Sequence, residues 1–322
     1  MSFSIWLNRA LSTFNISISK RSTLVRQAHE LAELRLAKES SVPTNGKATV
    51  LNGNQAIPTL RQIQEEIAGL RQEILKNQVA MQWRISDLSH NADLELAAIT
   101  CELCGYEGDH KTFKVYKSHC IFGGGKLLRH QCPQCDAIFG PKKMLDLNAE
   151  ELTQEYEIHY RLYQEGDSTA QEIRAFHALN PTREGQYLNY GAGAWSRSVS
   201  ELRRDGWNVF AYEPHESASS SDFLISNPSR LATMKFDGIF SNNVLEHFRH
   251  PVEELRNIAA FLKPLGKMSH ATPCFEYLYE YTRFHLFFFP GRSRILLADK
   301  ADLTIDDFVV DGEFMNLLLS KK

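Results

Sequence analysis

The sequence predicts an α/β fold: a sheet fed by alternating helices, preceded by a small cysteine module and N-terminal helices. Three stretches predict it. Gln186–Pro214 reads as strand, glycine turn, helix, strand, carboxylate. Phe236–Met268 reads as strand, loop, helix, turn, strand. Upstream of both stand two C-x-x-C pairs, Cys101/Cys104 and Cys132/Cys135. At 322 residues the chain has room for one full α/β domain plus a smaller one.

The N-terminal residues 1–58 predict helices and a linker. Ser2–Ser40 reads as two helical pieces; Leu24–Lys38 sets Leu31, Leu34 and Leu36 among charges, as a packing or partner helix does. A membrane-surface helix at Met1–Leu11 is the other reading. Ser40–Pro58 is rich in Ser, Asn, Gly, Thr and Pro, a linker composition.

Residues 59–95 predict a coiled-coil helix. Leu60, Ile63, Ile67, Leu70, Ile74, Asn77 and Met81 recur at alternating three- and four-residue steps. Asn77 is a polar seam position of the kind that fixes register. This implies self-association; the alternative is a long helix packed on its own chain.

Residues 96–147 predict a zinc-ribbon-like module. The two C-x-x-C pairs, with 27 residues between them, present four thiolates for one tetrahedral zinc ion. Four thiolates leave no position for water, so the site is structural. Two disulfides or a redox pair are the alternative. Cys120 reads as a spare buried thiol, with replacement of one ligand the alternative, and Cys274 as a small apolar packing residue.

Residues 148–184 form a helical connector carrying Tyr156, Tyr160 and Tyr163, with a Ser168–Gln171 capping box expected at a helix start. Residues 185–322 are the α/β domain. Its Gly191-Ala192-Gly193 turn lets a ligand approach the backbone, since glycine lacks a Cβ. Val199 and Leu202 face inward on the following helix, which Gly206 ends. Glu213 closes the second strand, where a carboxylate can accept hydrogen bonds from both ribose hydroxyls. The unit therefore suits an adenosine-type cofactor. A third glycine for a dinucleotide is missing, since position 196 is Ser. Pro251 opens a helix, and Asp311-Gly312 predicts a hairpin between Thr304–Val310 and Phe314–Leu319.

These blocks resemble class I S-adenosylmethionine-dependent methyltransferases. The residues that carry the resemblance are the glycine turn with Glu213, the strand Phe236–Ser241, Glu246-His247 and Lys263-Pro264-Leu265-Gly266. It implies a Rossmann-like sheet and S-adenosylmethionine as cofactor, contacted by Asn189, Gly191, Ala192, Gly193, Glu213, Asn242 and Asn243. Asn189 stands where the family commonly has Asp, and Ala194 where a third glycine is common. The adenine contact is left between Asp222 and Asn227. The cysteine module and Tyr-rich segment are similar to those of sugar C-methyltransferases. That similarity implies a sugar, nucleotide-sugar or glycan-end acceptor, and His285 of Tyr279–His285 as the base; His247, at the carboxyl edge of the sheet, Tyr281 and Glu280 are the other base candidates. Those proteins have a further large domain after the core and no long N-terminal helical extension. Packing roles are the alternative for His247 and for Phe284, Phe287, Phe288 and Phe289. A methyltransferase of another small metabolite, or a non-catalytic oligomeric scaffold, is the rival reading of the whole.

A net charge of −3 gives no electrostatic case for a nucleic-acid partner. No run reaches the roughly 18 apolar residues that span a bilayer. No signal peptide is read at the start, and cysteines paired for metal predict the cytoplasm.

Overall fold

The computed structural model describes residues 60–94, 98–163, 166–193, 196–214 and 222–322. The helices expected before residue 40, the linker and Ala194 lie outside the described residues. Two compact units divide the chain after Ala80. The helix α1, Leu60–Leu94, runs through this boundary. In the first unit, Arg61 pairs with Glu65 one turn on, at 2.9 Å, and Leu60, Ile67 and Leu75 are exposed.

The second unit holds three sheets among its described residues, the smallest being β1 (Ile99–Thr100) paired antiparallel with β2 (Glu107–Gly108). The largest has seven strands in the order β12-β13-β10-β9-β6-β7-β8. Its parallel part is β6 (Gln186–Tyr190), β7 (Asn208–Tyr212), β8 (Leu224–Ile225), β9 (Phe236–Asn242) and β10 (Leu262–Ala271). The last two strands, β12 (Leu303–Asp311) and β13 (Phe314–Lys321), pair antiparallel, and β13 also pairs antiparallel with β10. The Asp-Gly hairpin is present, with Gly312 at φ +61°. Such a mixed seven-stranded sheet is the Rossmann-like methyltransferase architecture the sequence predicts.

Local signals act as expected. The helix Ser198–Arg204 buries Val199 and Leu202, and Gly206 follows at φ +87°. Pro251 occupies the first turn of Pro251–Ala260, which buries Leu255 and Ile258. The Lys263–Gly266 turn lies inside β10 as an irregularity in register, with Leu265 left-handed at φ +65°. The core under β6 is aromatic: Phe176 meets Tyr187, Trp207 and Phe240 edge-on, with centroids 5.1–5.5 Å apart.

The four-stranded sheet has the order β11-β5-β4-β3. Strands β3 (Lys114–His119), β4 (Lys126–Gln131) and β5 (Ile138–Phe139) come from the cysteine segment. Strand β11 is Phe287–Phe288, which pairs antiparallel with Phe139 and Ile138. The phenylalanines expected to pack are a sheet edge and core; Phe284 and Phe287–Phe289 are all buried. No helix among the described residues is long and apolar enough to cross a membrane.

Candidate active site and cysteine cluster

β6 has β7 on one side and β9 on the other, so the connections leave in opposite directions there. Such a switch point opens a crevice at the carboxyl ends of the strands. A cavity of about 750 Å³ lies there, lined from the ends of β6, β7, β9 and β10, a volume usual for a small-molecule site.

The glycine turn forms its floor. Gly191 and Ala192 donate their N–H groups to the Tyr212 carbonyl at 2.9 and 3.1 Å. Gly191 has φ +73°, and a Cβ there would sit 2.8 Å from a Val244 methyl. Gly193, at φ +62°, has nothing within 4 Å of the place a Cβ would take, so its outer face is open. Its N–H donates to Glu213 Oε2 at 3.1 Å, which ties the carboxylate to the turn. Asn242 ends β9, and Asn243 follows at φ +54° with its N–H on the Ala271 carbonyl. Gly191, Ala192, Gly193, Glu213, Asn242 and Asn243 line the cavity together.

Asn189 does not join them. It is fully buried behind the turn, and its Nδ2 donates to Glu172 Oε2 at 2.5 Å. Glu172 lines the cavity and also accepts from Ser168, Ser196 and Ser198. Burial pushes the Glu172 pKa up, against these donors. Sequence reasoning missed Glu172; an acidic residue on the buried side of an amphipathic helix was the available signal. The expected Ser168–Gln171 box is replaced by the Ser168–Glu172 hydrogen bond, and Ser168 makes no cap to the helix backbone. Of the two adenine candidates, Asn227 caps the helix Pro228–Ala232 through Ser229 N at 2.8 Å, and neither it nor Asp222 lines the cavity.

The opposite wall carries the base candidates His247, His285 and Tyr281. His247 Nδ1 lies 2.9 Å from the Phe284 carbonyl and 2.9 Å from Tyr156 Oη. A carbonyl only accepts, so Nδ1 carries the proton and Nε2 is the basic atom. His285 Nδ1 lies 2.9 Å from the Tyr279 carbonyl, with the same consequence. The two rings are 5.0 Å apart. Burial lowers the His247 pKa to about 4, and burial with the neighbouring His247 holds His285 well below its ordinary value. Both are therefore neutral near pH 7 and able to take a proton. Tyr281 is exposed, and partial desolvation raises its pKa. Glu280 does not line the cavity; its carbonyl accepts from Arg129 Nη1 at 2.7 Å. Tyr156, His159 and Phe284 add an aromatic surface, with Phe284 4.8 Å from Tyr156 and 4.6 Å from His159.

The four cysteines converge. Each knuckle closes on its first cysteine: Gly105 N donates to Cys101 O at 2.8 Å, and Asp136 N to Cys132 O at 3.0 Å. Cys101 Sγ lies 3.6 Å from Cys135 Sγ, and Cys104 Sγ 3.5 Å from Cys132 Sγ. The four sulfurs lie within 4.8 Å of one another. Thiolates around one tetrahedral ion at about 2.3 Å stand roughly 3.8 Å apart, whereas a disulfide needs about 2.05 Å. The set fits one ion and not two disulfides. Cys120 and Cys274 are buried as expected. Cys274 packs with Ile138 and Phe288, its Sγ 3.5 Å from His285 Nδ1.

Residues 162–306, a little under half of the chain, match a family model described as a methyltransferase domain. Among solved structures, the chain is similar to a 1,6-didemethyltoxoflavin-N1-methyltransferase of Burkholderia thailandensis, at 16% identity and TM-score 0.42, over 61% of this chain and 95% of that one. It is similar to the CcbJ methyltransferase of Streptomyces caelestis at 12% identity and TM-score 0.38, over 50% and 94%. For a methyltransferase of calicheamicin biosynthesis the values are 12% and 0.37; 54% of this chain is covered, and it spans 59% of that one. No curated protein matches the sequence. The segment that matches the methyltransferase-domain model contains the glycine turn, Glu213 and the Asn242–His247 loop.

Proposed function

We propose that the chain transfers the methyl group of S-adenosylmethionine to a small acceptor held between the glycine turn and the His247–His285 wall. One observation supports the reading: at the switch point of the sheet, an open glycine turn is tied to Glu213, whose carboxylate would take the ribose hydroxyls. Methyl transfer is a displacement at the sulfonium carbon. The enzyme aligns the nucleophile and accepts its proton; a positioned base contributes about 10²–10⁴-fold. Neutral His285 or His247, each basic at Nε2, supplies that base.

The acceptor is a sugar, a glycan end or another small metabolite. Among the described residues no Lys or Arg lines the cavity, while Glu254 and Glu313 do. A diphosphate would find no cation there, which favours an uncharged acceptor over a nucleotide sugar. Cys101, Cys104, Cys132 and Cys135 would hold a structural zinc ion, supplying cohesion and no reaction step. The heptad residues of α1 would join copies of the chain, and reduced thiols fit a cytoplasmic protein.

Calorimetric titration with S-adenosylhomocysteine tests the reading. Micromolar binding is expected. No binding by folded, zinc-loaded protein removes the enzyme reading and leaves the scaffold.

A further inference from the structure

One face of the helix α1 reaches the wall that carries the base candidates. Trp83 and Asp87 stand one turn apart on that face, with 3% and 1% of their surfaces exposed, and both belong to the second unit. Asp87 Oδ2 accepts from Arg283 Nη2 at 3.1 Å and from Gly125 N at 2.7 Å, and Oδ1 pairs with Lys143 Nζ at 2.5 Å. Arg283 is fully buried, its guanidinium over the Trp83 ring at 4.2 Å. Trp83 Nε1 donates to Glu155 Oε2 at 2.6 Å. A buried carboxylate that is bonded on both oxygens and set between two cations fixes its partners in one arrangement.

The residues held in this way are chain neighbours of the two groups that face His247 Nδ1. Arg283 precedes Phe284, whose carbonyl lies 2.9 Å from Nδ1; Glu155 precedes Tyr156, whose hydroxyl also lies at 2.9 Å. The Trp83 ring meets Phe284 edge-on at 6.3 Å. The imidazole proton is thus kept on Nδ1, toward the Phe284 carbonyl, and Nε2 is left to accept one. A neutral imidazole free in water favours the other tautomer, in which Nε2 carries the proton and is no base. Trp83 and Asp87 lie outside residues 162–306, and neither lines the cavity.

We propose that Trp83 and Asp87 are positioning residues for His247: through Glu155–Tyr156 and Arg283–Phe284 they hold its imidazole in the tautomer that is basic at Nε2. The role rests on the reading of His247 as a base candidate.

The test reads the tautomer. The full chain is labelled with nitrogen-15 histidine, and the His247 signals are assigned by their loss in His247→Phe. Proton–nitrogen correlation spectra of the rings at neutral pH separate the two tautomers. Wild-type protein should show His247 protonated on Nδ1. Trp83→Phe keeps a ring and removes the bond to Glu155. Asp87→Asn alone would leave two buried cations uncompensated, so it is combined with Lys143→Met, which removes one charge of each sign. In both variants Nε2–H should rise from the minor form to the major one. Their affinity for S-adenosylhomocysteine by calorimetry should be that of the wild type, since the cofactor contacts lie on the opposite wall. Ile85→Ala, on the exposed face of α1, should keep the wild-type tautomer. Nε2–H in the wild type overturns the proposal without any variant. The wild-type tautomer retained in both folded variants, whatever their loss in Tm, also overturns it, because the two residues then only stabilise the fold. Wild-type protein that binds no S-adenosylhomocysteine overturns the base reading and the positioning role with it, an outcome the ligand-free tautomer spectra do not depend on.

Discussion

Arg129, on a strand of the cysteine module, donates from Nη2 to the backbone carbonyl of His285 at 3.1 Å. The same guanidinium reaches the Thr282 carbonyl at 2.6 Å and the Glu280 carbonyl at 2.7 Å. Arg129 is fully buried. The loop that carries one base candidate is thus gripped by its backbone from the strands of the cysteine segment, and Gly140 N adds a bond to the Leu286 carbonyl at 3.0 Å.

Arg129→Met should therefore weaken both fold and turnover. It takes the guanidinium donor from the Thr282 and His285 carbonyls, at about 1–3 kcal/mol for each group left unsatisfied, while the Glu280 carbonyl keeps Ser118 Oγ at 2.9 Å. A loss of about 3 kcal/mol or more is expected by urea denaturation. In variant that remains folded, kcat should fall further than cofactor affinity. Unchanged stability would show that water replaces the guanidinium.

Chelation of the metal should act through the same path. Stoichiometric zinc, one ion per chain, is expected by elemental analysis. Cys132→Ser should lose it and lower Tm, since Cys132 follows directly on the strand that carries Arg129. Metal-free wild type with an unaltered Tm would rule out a structural ion.

Glu213→Ala should weaken S-adenosylhomocysteine about tenfold to a hundredfold by calorimetry, through loss of charge-assisted bonds to the ribose. A scaffold with a non-catalytic core would show no change.

His285→Phe should abolish turnover and leave cofactor binding intact. Full turnover in that variant passes the role to His247, and His247→Phe then decides. With His247 lowered to about 4, a base at this position works in its neutral form through neutral pH and is lost only as pH falls toward 4.

Stability should fall with acid by the same cause. Burial lowers His130, His159, His247 and His270 each to about 4. The unfolded chain takes up these protons near pH 6.5. Between those values the unfolded state binds more protons, so the stabilisation is complete above about 6.5 and is lost as pH falls toward 4. Thermal melts should show Tm lower at pH 5 than at pH 7. A Tm that is level across this range would mean the histidines protonate in the folded protein.

Much of this molecule is written in short-range signals. The glycine turn, Glu213, Pro251, Gly206 and the Asp-Gly hairpin each act within a few residues of themselves, through φ preference, a missing Cβ or a missing N–H, so their sites are readable before any fold is known. Spacing alone likewise selects the four cysteines. Tertiary structure decided the rest. Glu172 meets Asn189 across 17 positions, and Arg129 meets His285 across 156. Strand β11 joins the sheet of the cysteine segment by pairing Phe287 with Phe139 and Phe288 with Ile138, residues far apart in the chain. Periodicity tells which face of an element is buried, but not what lies opposite. A buried carboxylate or guanidinium draws its partners from whatever the packing brings near, and only the folded chain names them.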